Sequence, residues 1–279
     1  MRILTALFSA RRPSAMNYQR WIAHFHANRL DRREPDWEAP FHMPEEKRRL
    51  LALSLAEYQL GDGGGECCLV ARNAERYRGS AEDARTVVDH WFAEEREHSR
   101  LLTHAVKRVG GTFVSSTFGF ELFYAIRRRL GVQFEMLVLL IVEIVSTGYY
   151  RVIRRHVDDE PLGAMCKLIL RDEARHIDFH RDRLAARYPR GVSFWWRCAF
   201  RLLGEACAHF LWLGHGRCLR ALGGTRVELF AHLRRGQAAF LRKLSYLTDP
   251  GYRSITARRS VCSSACCRVP VRAWSQPAR

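Results

Sequence analysis

Two Glu-x-x-His pairs stand out in this chain, Glu95-Arg96-Glu97-His98 and Glu173-Ala174-Arg175-His176, with a lone Glu143 in an apolar run between them. Residues three apart on an α-helix share one face about a turn apart, so each pair can aim a carboxylate and an imidazole at one point. That is metal-ligand geometry. A single pair is a weak signal, because helices are rich in Glu. Two copies, each preceded by a helix able to supply one more carboxylate, make the ligand set of a two-metal site enclosed by four helices.

The carboxylate of the third helix is Glu143. Met136, Leu139 and Leu140 precede it and Thr147 and Tyr150 follow it on an otherwise apolar helix, where an unpartnered charge is costly and a metal is the economical partner. An Arg across the helices is the alternative. On the first helix Glu57, Asp62 and Glu66 compete. Antiparallel helices joined near Gly79 bring residues equidistant from the turn to one height, which ranks Asp62 first and Glu66, one turn further along the same face, second. Glu57 points elsewhere. Asp172, immediately before Glu173, is placed to accept from the second ring nitrogen of the histidine on the neighbouring helix, and Glu94 is its counterpart; solvated or Arg-paired carboxylates are the alternative for both. His180, one turn beyond His176, reads as an extra ligand, a donor behind the ligands or a satisfied core histidine. Tyr150, about two turns from Glu143, is placed either to give an electron to an oxidised centre or to pack.

Around these residues the pattern is helical throughout. The expected organisation is an N-terminal helix and linker over 1–44, a four-helix unit over 45–190, a helical hairpin over 191–248 and a basic, unstructured tail over 249–279. The first long helix runs from about Glu45 to Arg78, weakened at Gly63-Gly64-Gly65. A turn at Gly79-Ser80, with Ser80 as N-cap, opens the second, which stops at Gly110-Gly111. The third is broken near Gly131 and continues from about Gln133 to His156. Asp158-Asp159-Glu160-Pro161 starts the fourth, which ends near Tyr188-Pro189. The aromatic run from Ser193 to Leu222 is long enough to span a membrane, but Arg197, Arg201, Glu205 and His209 keep one face polar, which favours a hairpin covering the four-helix unit over a span. Peripheral membrane contact by this hairpin is the lesser alternative.

The formal charge of +17 rests almost wholly on Arg, since the lysines are only Lys47, Lys107, Lys167 and Lys243. With no nucleic-acid-binding motif beside it, the charge does not make a case for nucleic acid as a partner. The nine cysteines are odd in number, and Cys67, Cys68, Cys166, Cys198, Cys207 and Cys218 fall within expected helices, which points to a reducing cytoplasm rather than a disulfide framework. Cys262, Cys266 and Cys267 lack a second ligand pair for zinc. The apolar stretch Ile3–Ala10 is short for a signal peptide.

Asp172-Glu173-Ala174-Arg175-His176 resembles the Asp-Glu-x-Arg-His signature of bacterial di-iron monooxygenases. As a set, Gln59-Leu60-Gly61-Asp62, Glu94-Glu95-x-x-His98, Glu143 followed by Tyr149-Tyr150, and Asp172-Glu173-x-x-His176 with Phe179-His180 are similar to a group of bacterial ferritin-like proteins, over about Trp21 to His180 and beyond. The group typically carries Gln-Leu-Gly-Glu where this chain has Asp62, a shorter side chain that moves the ligand oxygen. The resemblance implies an all-α, ferritin-like four-helix bundle with an N-terminal helix and a C-terminal helical extension. It also implies two iron ions, with manganese or a mixed pair as alternatives, held by Asp62, Glu95, His98, Glu143, Glu173 and His176. Thr147 matches by placement the pocket threonine that the monooxygenases associate with oxygen activation; a hydroxyl bonded to its own helix is the alternative. The function expected is an O2-dependent oxidoreductase, an oxygenase or hydroxylase acting on a small organic substrate with a reductant or electron-transfer partner, and a homo-oligomer is compatible with it. The rivals are ferritin- or rubrerythrin-like iron oxidation or peroxide removal, and a non-catalytic scaffold with a vestigial site. No rubredoxin-type double Cys-x-x-Cys module accompanies the bundle.

Overall fold

A computed structural model describes residues 16–63, 81–118, 121–122, 125 and 132–249. Among the described residues there are seven α-helices and no strands: α1 (Tyr18–Leu30), α2 (Glu45–Gly63), α3 (Ala81–Arg108), α4 (Val132–His156), α5 (Glu160–Arg187), α6 (Phe194–Leu222) and α7 (Arg226–Thr248). Glu66, the Gly79-Ser80 turn, the short N-terminal apolar stretch and the Cys-rich tail lie outside them.

The helix ends follow local chemistry. Asp159 caps α5 by accepting from the Leu162 N–H at 3.0 Å, with Pro161 in the first turn where no donor is needed. Ser193 and Thr225 cap α6 and α7 through the Trp196 and Glu228 N–H groups, both at 3.1 Å. Gly110 stops α3 and Gly223 stops α6 at φ 66° and 114°, the left-handed region that glycine enters without a Cβ penalty.

The helices are arranged around α4. It packs on α5, α6 and α7; α2 packs on α3 and α6, α3 meets α5, α7 also touches α5, and α1 lies on α3. The α6–α7 hairpin therefore packs on α2, α4 and α5. Among the described residues α4 is the one helix long and apolar enough to cross a membrane, over Gln133–His156, and most of it is buried by its neighbours. Its contact with α7 is close: a Cβ added at Gly236 would stand 2.9 Å from Ile144 Cγ2, and one at Gly148 3.2 Å from Leu229 Cδ1. A large core runs through Leu51, Leu55, Leu101, Leu140, Ile144, Ile169, Phe200 and Leu233. A second, aromatic core of Trp21, Phe25, Val87, Trp91, Met136 and Phe179 holds α1 against α3, α4 and α5.

One buried ion pair ties the linker to the helices. Arg108, at the end of α3, pairs with the α5 cap Asp159 at 2.8 Å and donates to the carbonyls of Trp37, Ala39 and Pro40 at 2.8, 2.9 and 3.2 Å. Both side chains are at most 5% exposed, so removing one strands the other. Arg108→Ala is expected to lower unfolding stability by about 3–5 kcal/mol, read as a drop in the urea midpoint. An unchanged midpoint would refute the assignment of this pair as a structural clasp.

Candidate metal centre

Three helices turn side chains toward one another: α3 with Glu95 and His98, α4 with Glu143, α5 with Glu173 and His176. Ligand atoms of Glu95, His98 and Glu173 lie within 4.8 Å of one another, as do those of Glu95, Glu143 and His176. The groups share Glu95. His98 Nδ1 stands 3.5 Å from Glu95 Oε2 and 3.8 Å from Glu173 Oε1. His176 Nδ1 stands 3.1 Å from Glu95 Oε1, 3.4 Å from Glu143 Oε2 and 3.5 Å from Glu173 Oε2. Glu95 and Glu173 thus offer one oxygen to each histidine, the placement of bridging carboxylates, and the rings are 5.8 Å apart. Glu143 serves the His176 side. Asp62 joins neither group.

The far nitrogens of both histidines are held by carboxylates that cross between α3 and α5. His98 Nε2–H donates to Asp172 Oδ2 at 3.1 Å, and His176 Nε2–H donates to Glu94 Oε2 at 3.0 Å. The crossing follows from helix geometry, because the residue just before each ligand Glu is rotated toward the facing helix. With Nε2 committed as donor, a neutral imidazole presents the Nδ1 lone pair to the centre. Both Nδ1 atoms, and Glu173 Oε2, are buried with no hydrogen-bond partner. Polar atoms in that state need one. A divalent cation at each histidine would supply it, and four carboxylates, Asp62, Glu95, Glu143 and Glu173, with two neutral imidazoles would balance two such cations.

Electrostatics of the bare ligand set show the same need. Burial disfavours the Glu95 charge, but contacts with His176 and His98 outweigh it and hold the carboxyl well below its ordinary range. His98 is likewise opposed by burial yet pushed well above the usual imidazole range by Asp172 and Glu95, and His176 by Glu173, Glu94 and Glu95. Withdrawal from water and the charge of Glu95 push Asp62 up to about 8, and burial raises Glu173. Positive charge between the carboxylates is therefore favoured, whether from protons or from metal.

The first helix, α1, contributes what the sequence reading missed. Asn28 donates through Nδ2 to Glu94 Oε1 at 2.6 Å and to Asp172 Oδ1 at 2.8 Å, clamping the two carboxylates that hold the two histidines, and Arg32 donates to Asp172 Oδ2 at 2.7 Å. Trp91 donates its indole N–H to Glu95 Oε1 at 3.0 Å. Asn28 on an aromatic helix was the available signal; Arg32 lies just beyond the end of α1. Phe25 and Trp91 pack their rings 6.1 and 5.8 Å from that of His176 and shut that side from water.

The remaining expected residues are placed as follows. Tyr150 is fully buried and donates to Asp62 Oδ2 at 3.2 Å. Thr147 is buried and donates to the Ile144 carbonyl of its own helix at 2.7 Å, the backbone-bonded alternative. His180 is buried with neither nitrogen hydrogen-bonded and its ring edge-on to Trp91 at 5.2 Å; it does not join either ligand group. Burial, and then the Arg183 charge, push it well below the usual imidazole range. Glu57 faces α6, 3.7 Å from His215 Nε2.

No protein family, curated protein or solved structure matches this chain. Asn28→Ala is expected to lower metal affinity by about tenfold or more with helix content unchanged, because both histidine-orienting carboxylates lose a shared donor. Competition titration against a chromophoric chelator measures it, and wild-type affinity in the variant would show that the clamp has no part in metal binding.

Proposed function

We propose that α2–α5 form a ferritin-like four-helix bundle holding two iron ions, and that the protein is an O2-dependent oxidoreductase of the oxygenase or hydroxylase type acting on a small organic substrate. The observation that carries this reading is the two-sided ligand set: two imidazoles with unpartnered inward nitrogens, two carboxylates shared between them, and Glu143 as a further carboxylate beside His176. Carboxylate and imidazole donors suit iron and, as alternatives, manganese or a mixed pair. Iron bound there supplies dioxygen activation when reduced, which the protein side chains alone do not.

The chain's own residues would bind and orient. Asp62, Glu95, Glu143 and Glu173 hold and bridge, while His98 and His176 cap one metal each with rings fixed by Asp172 and Glu94. The aromatic core of Trp91, Phe25 and Phe179 excludes water from the His176 side. Asp62 in place of Glu leaves its oxygen further back, and the Tyr150 hydroxyl holds it there.

A second reading rests on the close approach of His176 Nδ1 to Glu95 and on the raised imidazoles: a metal-free core in which two imidazolium ions neutralise the carboxylates. Metal analysis of anaerobically purified protein separates the two. The leading reading expects about two iron or manganese ions per chain and loss of most of that metal in Glu143→Ala; full occupancy in that variant would sink it. Asp62→Ala should lower metal content far more than Glu66→Ala, and Asp62→Glu should retain or improve binding. The reverse order would move the α2 ligand to Glu66.

Turnover gives a separate test. O2 consumption by the reduced protein should couple to product only with substrate present, and Thr147→Leu should change turnover more than metal content. A mineral core of many irons per chain would instead mark iron storage.

A further inference from the structure

The outer face of α6 carries an apolar stripe that no described helix covers. Five of the twelve large apolar side chains exposed among the described residues lie on this one helix: Phe194, Trp195, Leu202, Phe210 and Leu213. Trp195, Leu202 and Leu213 are 71, 70 and 81% exposed, and Ala206 is exposed between them. With 3.6 residues per turn these four fall within about 40° of one another, with Phe194 on one side of the line and Phe210 on the other, over a length of about 27 Å. The opposite face is committed to the fold. Trp196, Phe200, Gly204, Ala208 and Leu211 are buried there, on the side that packs against α2, α4 and α7.

Apolar side chains scattered singly over a surface need no explanation. A continuous line of them does, and its borders say what it fits. Arg201 stands exposed on one side of the line, Arg217 on the other, Arg197 in the first turn and Arg220 beyond the last. The one carboxylate of α6, Glu205, is engaged by Arg234 of α7 at 2.7 Å, so no free negative charge answers these arginines along the helix. The face is therefore apolar along its middle and cationic along its edges. A second copy meeting it with its own α6 would set arginine against arginine. The chain's own termini fit no better, because residues 1–15 and 250–279 hold nine arginines and no Asp or Glu. An occupant that is apolar and anionic at once has the chemistry of a bilayer containing anionic lipid. Acyl chains take up Leu and Phe, Trp suits the headgroup boundary, and guanidinium groups pair with lipid phosphates while their stems lie along the apolar surface.

We propose that the protein docks on anionic membrane surfaces through α6, which lies in the plane of the interface. Trp195, Leu202, Phe210 and Leu213 enter the boundary between headgroups and acyl chains, and Arg201 and Arg217 meet lipid phosphates on either side. The helix lies on the bilayer and does not cross it, since its other face belongs to the core. The more apolar α4 stays in the protein interior. Docking of this kind is independent of what the metal centre does.

The test is cosedimentation of the whole chain with vesicles of phosphatidylcholine alone or with about 30% phosphatidylglycerol, at low and at physiological salt. Binding is expected to the anionic vesicles and to be weakened by salt. Leu202→Glu with Leu213→Glu, both at exposed positions, should lower partitioning about a hundredfold with helix content and metal content unchanged. Arg201→Ser with Arg217→Ser should lower it about tenfold or more. Lipid brominated in its acyl chains should quench tryptophan fluorescence in the wild type and much less in Trp195→Phe. No binding to anionic vesicles would overturn the proposal. So would binding that the Leu202/Leu213 variant retains in full, which would mark attraction by the net positive charge without insertion of α6. A dimer that this variant dissolves, with no vesicle binding by the wild type, would instead make the face a contact between copies. None of these results bears on the metal centre, so the docking and the oxidoreductase reading fail separately.

Discussion

Buried negative charge is the constraint on which the rest of the structure depends. Glu143 and Glu173 are each less than 10% exposed and converge with Glu95 in the middle of an apolar helical assembly. Each such charge costs several kcal/mol unless compensated. Compensation is arranged in layers. The two imidazoles face the carboxylates, Asp172 and Glu94 hold the imidazoles, and Asn28 with Arg32 holds those two carboxylates. The outermost layer comes from α1 and the residues just after it, which ties this helix to the centre.

The second consequence concerns α4. A helix carrying Glu143 on one face and apolar side chains on the others must be enclosed on nearly every side, and α5, α6 and α7 do this. Enclosure is why its hydropathy mimics that of a membrane span, and why the α6–α7 hairpin belongs to the fold. Through Ser54 and His215 the same hairpin also contacts the tyrosine cluster of α2 and α4.

Much of the fold could be read from local signals. The helix periods, the Asp159–Pro161 start of α5 and the Gly110 stop of α3 depend on nearest neighbours, and they sit where the sequence puts them. The convergence of Glu95, His98, Glu143, Glu173 and His176 was legible because i, i+3 spacing fixes relative direction on a helix. So was the crossing of Asp172 to His98. What escaped the sequence depends on tertiary register: Asn28 reaches residues 66 and 144 positions away, Arg108 gathers a linker and a helix cap, and Tyr58 stacks across α2 and α4. For Thr147 the sequence left two roles open, and its hydroxyl takes the backbone-bonded one, donating to the Ile144 carbonyl. Glu66, the competitor to Asp62, lies outside the described residues; Asp62 accepts a hydrogen bond from Tyr150.

The central claim is that two metal ions occupy the space between the histidines, and the most direct measurement is an anomalous-difference map from crystals of the chain loaded anaerobically with Fe(II). The account predicts two peaks, one at His98 Nδ1 and one at His176 Nδ1, both in contact with Glu95 and Glu173. A featureless map, with each Nδ1 hydrogen-bonded directly to a carboxylate across a well-ordered centre, would contradict it.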